Sequence, residues 1–270
     1  MASDDAVRAP SPSELFDLRG ANALVVGASS GLGARMARVL ASAGAGVALA
    51  ARRRDRLDEE AAHIRAGGAS CAVVEADAAR AGEMERAVAE AEAALGELSL
   101  LVYVAGISPL GRAERHARAK WDQALAVNLT GAFDASQAVG ARWIERGTRG
   151  AIVLVGSILS LGASATHKTV GYSASKAGLA NLGRQLAVEW APHGIRVNSI
   201  LPGYFATEMT IDPAHGDIAP DQRARMETFT PMGRVGAVEE IDTALLFLAS
   251  PASSFVTGAL VPVDGGWTAW

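Results

Sequence analysis

Short β-branched runs alternate along the chain with longer Ala-rich segments whose apolar positions recur at helical spacing. The runs at 23–28 (ALVVGA), 46–51 (GVALAA), 71–76 (CAVVEA), 98–105 (LSLLVYVA), 151–157 (AIVLVGS) and 195–201 (IRVNSIL) are almost continuously apolar, the pattern of strands buried on both faces. A seventh lies in the C-terminal GALVPVDGG. Between them the pattern predicts helices over 33–44, 54–66, 79–95, 118–146, 171–194 and 238–249. Strands alternating with crossover helices specify an α/β chain, a doubly wound parallel sheet of about seven strands in one domain spanning 15–270. One stretch, 203–236, breaks the alternation with Pro, Gly, Met and charge; it is predicted as a loop or mobile pair of helices at a binding site. Residues 1–14 carry acids, Pro and Ser without periodicity and are predicted as a disordered tail.

Composition narrows the picture. The chain of 270 residues is 50% hydrophobic but only 5% aromatic, so its core is expected to be Ala, Val and Leu. A net charge of -4 offers no footprint for nucleic acid. Cys71 is the sole cysteine, which excludes an intrachain disulfide, and no Cys/His cluster offers a metal site. Residues 1–20 lack the apolar stretch of a leader, and the longest apolar run, 98–107, is half of what a membrane span needs. A soluble, cytoplasmic protein is expected.

The first strand leads into VVGASSGLG, with Gly27, Gly31 and Gly33 spaced G-x-x-x-G-x-G. Glycines there permit a tight turn, and the N-terminus of the following helix presents unpaired N–H groups to a pyrophosphate. Ser29, Ser30 and Leu32 complete this candidate dinucleotide loop, although a plain strand-to-helix turn has a similar composition. The second strand ends in Ala51 followed by Arg52 and Arg53. An acidic residue at that tip would bind a ribose 2′-hydroxyl; guanidiniums suit a 2′-phosphate, so NADP(H) is expected over NAD(H). Helix-start arginines merely facing water are the alternative. Asp77, with Ala78 beside it, could accept from an adenine amino group or cap the next helix.

Tyr172 and Lys176 stand four residues apart on a predicted helix, amid small residues. Only three of the 25 basic residues are lysines, in a chain with only three tyrosines. A phenol is a poor acid–base catalyst at pH 7, and an adjacent ammonium is expected to lower its pKa. A compact ammonium can also reach ribose hydroxyls that a planar guanidinium fits less well.

In their order, GASSGLG, Asp77, AGI (105–107), VNLTGAF, the serine ending the fifth strand, YSASK, RVNSILPG and DGG resemble the short-chain dehydrogenase/reductase family. The resemblance runs from about Phe16 to Trp267 and implies a Rossmann-type fold and hydride transfer between a nicotinamide and a carbonyl/alcohol pair. It implies that Tyr172 is the acid/base, that Ser157 (rather than nearby Ser160) polarises the carbonyl, and that Lys176 supports the tyrosine. Asn128 would hold a helix kink and a water linked to the lysine. Ala105, Gly106, Pro202, Gly203, Phe205 and Thr207 would complete the cofactor site. Two positions depart from the family pattern. Tyr103 stands where an asparagine braces neighbouring strands, and Val26 replaces a loop-bracing threonine; both put local rigidity in question. Ile107, Ser108, Leu159, His167, Tyr204 and the 208–230 segment are candidate substrate contacts, suggesting a moderately apolar carbonyl compound. His193 and His167 read as loop or helix-end residues rather than bases. The resemblance also implies a homotetramer built partly from the last strand, with Trp267 and Trp270 at its end. An NAD-dependent alcohol dehydrogenase of the same fold is the alternative, and a non-catalytic cofactor-binding module is a further rival.

Overall fold

The computed structural model describes residues 9–165, 167–212 and 216–270. Seven strands, β1 (Asn22–Val26), β2 (Gly46–Ala51), β3 (Cys71–Glu75), β4 (Leu100–Tyr103), β5 (Gly150–Val155), β6 (Ile195–Pro202) and β7 (Leu260–Val263), form one parallel sheet in the order β3-β2-β1-β4-β5-β6-β7. Of the predicted tail, residues 1–8 lie outside the described residues, while Pro12–Leu15 forms one helical turn, α1, capped by Ser11.

Side chains alternate across each strand, so the sheet feeds two cores. Ala23 and Val25 of β1 face one, with Met36 and Leu40 of α2 (Gly31–Ser42) and Leu57 and Ile64 of α3 (Arg54–Ala66). Leu24 and Val26 face the other, where Met84 and Val88 of α4 (Glu83–Leu95) pack. Burial on both faces is why the strands read as apolar runs rather than alternating ones.

The predicted helix 118–146 is three pieces. α5 (Arg118–Leu125) runs through a π-helical turn, Ala126–Thr130, into α6 (Gly131–Arg146). The long α7 (Val170–Trp190) follows β5. In the 203–236 stretch the described residues hold one helix, α8 (Pro220–Thr228), not a pair. A 3-10 turn at Val238–Ile241 opens α9 (Asp242–Ala249). The helix expected from residue 79 starts at Glu83, so Asp77 caps no helix; its carboxylate instead accepts from the Ala79 N–H at 3.0 Å in the preceding turn. No helix among the described residues is long and apolar enough to cross a membrane.

The sheet order reverses between β1 and β4, whose outgoing connections leave toward opposite faces. That opens a crevice beyond the C-terminal strand ends, the place where ligands bind in such sheets. Main-chain bonds brace it: Val104 and Ala105 N–H donate to the Val26 carbonyl at 2.8 and 2.9 Å, and Gly27 N–H donates to Ala50 at 2.8 Å. The loop thus holds without a hydroxyl at Val26.

Candidate active site

A cleft of about 550 Å³ fills this crevice. Every residue expected from the sequence to contact a dinucleotide lies in its lining, from Gly27 and Ser29 through Arg52, Arg53, Asp77 and Ala78 to Pro202, Gly203, Phe205 and Thr207. The first turn of α2 opens onto it through Gly31, Leu32 and Gly33, and Ser30 at the N-cap makes no side-chain cap bond. Unpaired N–H groups of a first helical turn suit a diphosphate. Two glycines keep the cradle open. Gly27 has φ +96, and a Cβ there would lie 2.5 Å from the Ala105 nitrogen. A Cβ on Gly106 would stand 3.4 Å from Lys176 Nζ and 3.5 Å from Asn128 Oδ1. The residues present therefore fit a dinucleotide.

At the far end, Ser157, Tyr172 and Lys176 line the same cleft. Lys176 is buried, its Nζ donating to the Val155 carbonyl at 2.6 Å and lying 5.7 Å from the Tyr172 ring centroid. Burial alone pulls the lysine pKa down to about 8. The same burial raises the Tyr172 pKa, and a hydrogen bond from the Ser157 hydroxyl, which favours phenolate, offsets only part of it. The lowering expected from the neighbouring ammonium is not found: burial raises the Tyr172 pKa, and Nζ is turned to the Val155 carbonyl.

Ser157 and Ser160 divide their tasks. Ser157 faces the cleft, and its Oγ accepts from the Leu159 N–H at 3.1 Å. Ser160 points away, donating to the Lys176 carbonyl at 2.8 Å and accepting from Ser157 N–H at 3.2 Å. It ties the serine turn to α7.

Asn128 sits in the π turn, buried beside the lysine rather than in the cleft lining. Its Oδ1 accepts from Ile107 N–H at 2.8 Å, while Nδ2 donates to the Ile107 carbonyl and to Ser175 Oγ, both at 2.9 Å. The side chain thereby joins the end of the β4 loop to α7. Tyr103, fully buried, donates its hydroxyl to the Val127 carbonyl in that π turn at 2.5 Å. Burial raises its pKa, so it stays a donor. Rigidity that the asparagine-to-tyrosine change put in question is supplied by this bond.

Of the candidate substrate residues, Ile107 and Ser108 line the cleft, whereas Leu159, His167 and Tyr204 do not. Tyr204 lines a separate apolar cleft of about 420 Å³ with Leu161, Phe229, Trp267 and Trp270. His167 stacks 6.0 Å from Tyr204 at a tilt of 46°, and burial, then Arg225, lowers its pKa. His193 lies exposed in the turn after α7. Among the described residues no cluster could hold a metal ion.

One charged group at the cleft was not singled out by sequence reasoning. Glu208, within the segment read as substrate-side, accepts from Ser30 Oγ at 2.7 Å and from Arg53 at 2.9 Å. No local motif signals it, since the contact spans 155 positions.

The chain is similar across nearly its whole length to characterised dehydrogenases. A family model described as enoyl-(acyl carrier protein) reductase matches residues 27–268. A galactitol 2-dehydrogenase (L-tagatose-forming) of Cereibacter sphaeroides is 44% identical over 95% of this chain and 98% of its own. A short-chain dehydrogenase/reductase from Mycobacterium marinum superposes with a TM-score of 0.89 at 35% identity, covering 94% of this chain and 98% of that one. A gluconate 5-dehydrogenase from Burkholderia cenocepacia, in complex with NADP and tartrate, gives 0.89 at 33% identity over 96% and 100%. Such relatives support an oxidoreductase acting on CH–OH groups. Sequence, sheet order and cleft agree: the chain belongs to the short-chain dehydrogenase/reductase family.

Proposed function

We propose that this chain is an NADP(H)-preferring oxidoreductase interconverting a ketone and a secondary alcohol. The observation that carries the reading is the Ser157/Tyr172/Lys176 group, its serine and lysine buried, at one end of a cleft whose other end holds Arg52, exposed and making no hydrogen bond or ion pair among the described residues. When bound, the nicotinamide supplies or accepts the hydride at the substrate carbon. Ser157 orients the substrate oxygen and stabilises its developing charge. The Tyr172 hydroxyl, held protonated at neutral pH by burial, gives its proton to that oxygen in reduction and takes it back in oxidation. Lys176, with a pKa near 8, returns a proton to the tyrosine side and grips the ribose. Asn128 fixes Ile107 and α7 around this group and supports a proton relay. Gly27, Ser29–Gly33, Asp77, Ala78, Ala105, Gly106 and the Pro202–Thr207 segment hold the rest of the cofactor.

The sequence alone suggests a moderately apolar substrate; the galactitol and gluconate dehydrogenases point to polyhydroxylated ones, and we adopt that class. A cytoplasmic homotetramer completes the proposal. The test is a panel of galactitol, gluconate, their keto forms and small cyclic alcohols and ketones, each with NADP(H) and NAD(H). Turnover of a polyol pair, faster with the phosphorylated cofactor, is expected. Arg52→Ala is expected to raise the KM for NADPH about tenfold with little change for NADH, as loss of one charge-assisted phosphate contact would; equal effects on both refute the 2′-phosphate role.

A further inference from the structure

Arg52 and Arg53 are adjacent in the chain and unlike in their surroundings. Arg52 is uncommitted, whereas Arg53 donates to Ser29 Oγ at 3.0 Å, to Ser30 Oγ at 2.7 Å and to Glu208 at 2.9 Å. Ser30 Oγ in turn donates to the same Glu208 oxygen at 2.7 Å. A carboxylate thus rests on a guanidinium and on the hydroxyl at the N-cap of α2, a donor set that suits phosphate oxygens equally well. Arg53 and Ser30 hold the Glu208 carboxyl below the usual range, with Arg56 adding to the effect, so it is charged at neutral pH. The residue before it, Thr207, packs over the phosphate loop, where a Cβ on Gly31 would lie 3.4 Å from its Cβ. Glu208 therefore reaches the adenosine end of the cleft from the substrate side.

We propose that Glu208 sets the choice between 2′-phosphate and 2′-hydroxyl dinucleotides by holding Arg53. The carboxylate neutralises one of the two guanidiniums at the cleft and must release it before a second charge-assisted contact to a 2′-phosphate forms. A 2′-hydroxyl makes no such demand. Preference for the phosphorylated cofactor then rests on Arg52, and removing the Glu208 charge adds Arg53 to it. The inference rests on the dinucleotide reading above.

Binding rather than turnover tests it. Dissociation constants for NADPH, NADH, adenosine 2′,5′-bisphosphate and ADP are measured by fluorescence and calorimetric titration on the wild type, E208Q, R53A and the double variant. Glu208 is half exposed, so E208Q leaves the core untouched. E208Q is expected to tighten NADPH and adenosine 2′,5′-bisphosphate about fivefold or more, leaving NADH and ADP within about twofold, because a freed guanidinium contacts only the 2′-phosphate. On the R53A background the gain disappears. Equal tightening of all four ligands, weaker NADPH binding, or a gain that persists without Arg53 would overturn the proposal alone. Failure of the wild type to bind either dinucleotide would overturn the cofactor reading, and this proposal with it.

Discussion

Tyr172 and Lys176 lie one helical turn apart, and burial pushes both against their charged forms. For the tyrosine this keeps the proton on oxygen through neutral pH, the state a donor to a ketone needs. Tyr172→Phe keeps the ring and removes only that proton; it is expected to lower kcat at least about 10²-fold while NADPH binds within a few-fold. A variant retaining more than about a tenth of wild-type kcat would refute the assignment. For the lysine the same burial makes a stability statement. Below pH 8 it is charged in folded and unfolded chains alike, and the cost of burial is fully present. Between about 8 and the ordinary 10.5 the unfolded chain holds a proton that the folded one has shed, so stability rises with pH across that window. Lys176→Met is expected to abolish this rise and to unfold no more easily than the wild type at pH 7, since the relieved cost, on the order of 3 kcal/mol, exceeds the roughly 1 kcal/mol of the bond to Val155. Thermal unfolding of both proteins from pH 7 to 10 reads it directly; parallel profiles would mean that Lys176 titrates normally. At this scale the sequence was informative about which side chains meet, because i, i+4 spacing is local. It was misleading about the sign of the tyrosine shift, because desolvation depends on the strands and loops closing around the pair.

The π turn between α5 and α6 shows what periodicity cannot reveal at the scale of elements. One extra residue per turn leaves the apolar pattern of 118–146 unbroken, with no Pro to announce the change, yet it sets Asn128 against Ile107 and Ser175 and offers the Val127 carbonyl to a side chain. Tyr103, reaching over from the end of β4, satisfies that carbonyl. We expect Tyr103→Phe to remove this buried hydrogen bond, costing about 1 kcal/mol of stability. Because the turn also carries Asn128, kcat is expected to fall several-fold while the KM for cofactor stays within about twofold, loss of positioning rather than of binding. A lower melting temperature with unchanged kcat would make the bond a brace of the fold only. The seven strands were legible because burial on both faces writes itself as apolar runs. Glu208 was not, since a lone acid in a polar segment signals nothing until the chain brings Arg53 and Ser30 to it.

For the whole molecule, the C-terminal segment separates two tryptophans that look equivalent in the sequence. Trp267 turns back on its own chain, its ring 3.1 Å from where a Cβ on Gly162 would stand. Trp270 is 81% exposed and lines the apolar cleft that also includes Leu161 and Phe229, both exposed. Met232, exposed as well, is drawn to the same end of the molecule by its N–H bond to the Gly265 carbonyl at 3.1 Å. β7 beside it is the last strand of the sheet, paired only with β6 among the described residues. A contiguous apolar surface with an exposed tryptophan is what interface centres provide and monomer surfaces rarely do. We therefore expect a homo-oligomer in which Trp270 is covered by another copy. Trp270→Ser removes about 2 kcal/mol of burial at each such contact and should weaken association by tenfold or more. Trp267→Ala, by contrast, should act mainly on subunit stability, since its half-buried ring packs against Gly162 of its own chain. Light scattering at micromolar concentration separates the two: a monomeric wild type, or a Trp270→Ser protein of unchanged mass across a dilution series, would sink the assembly proposal.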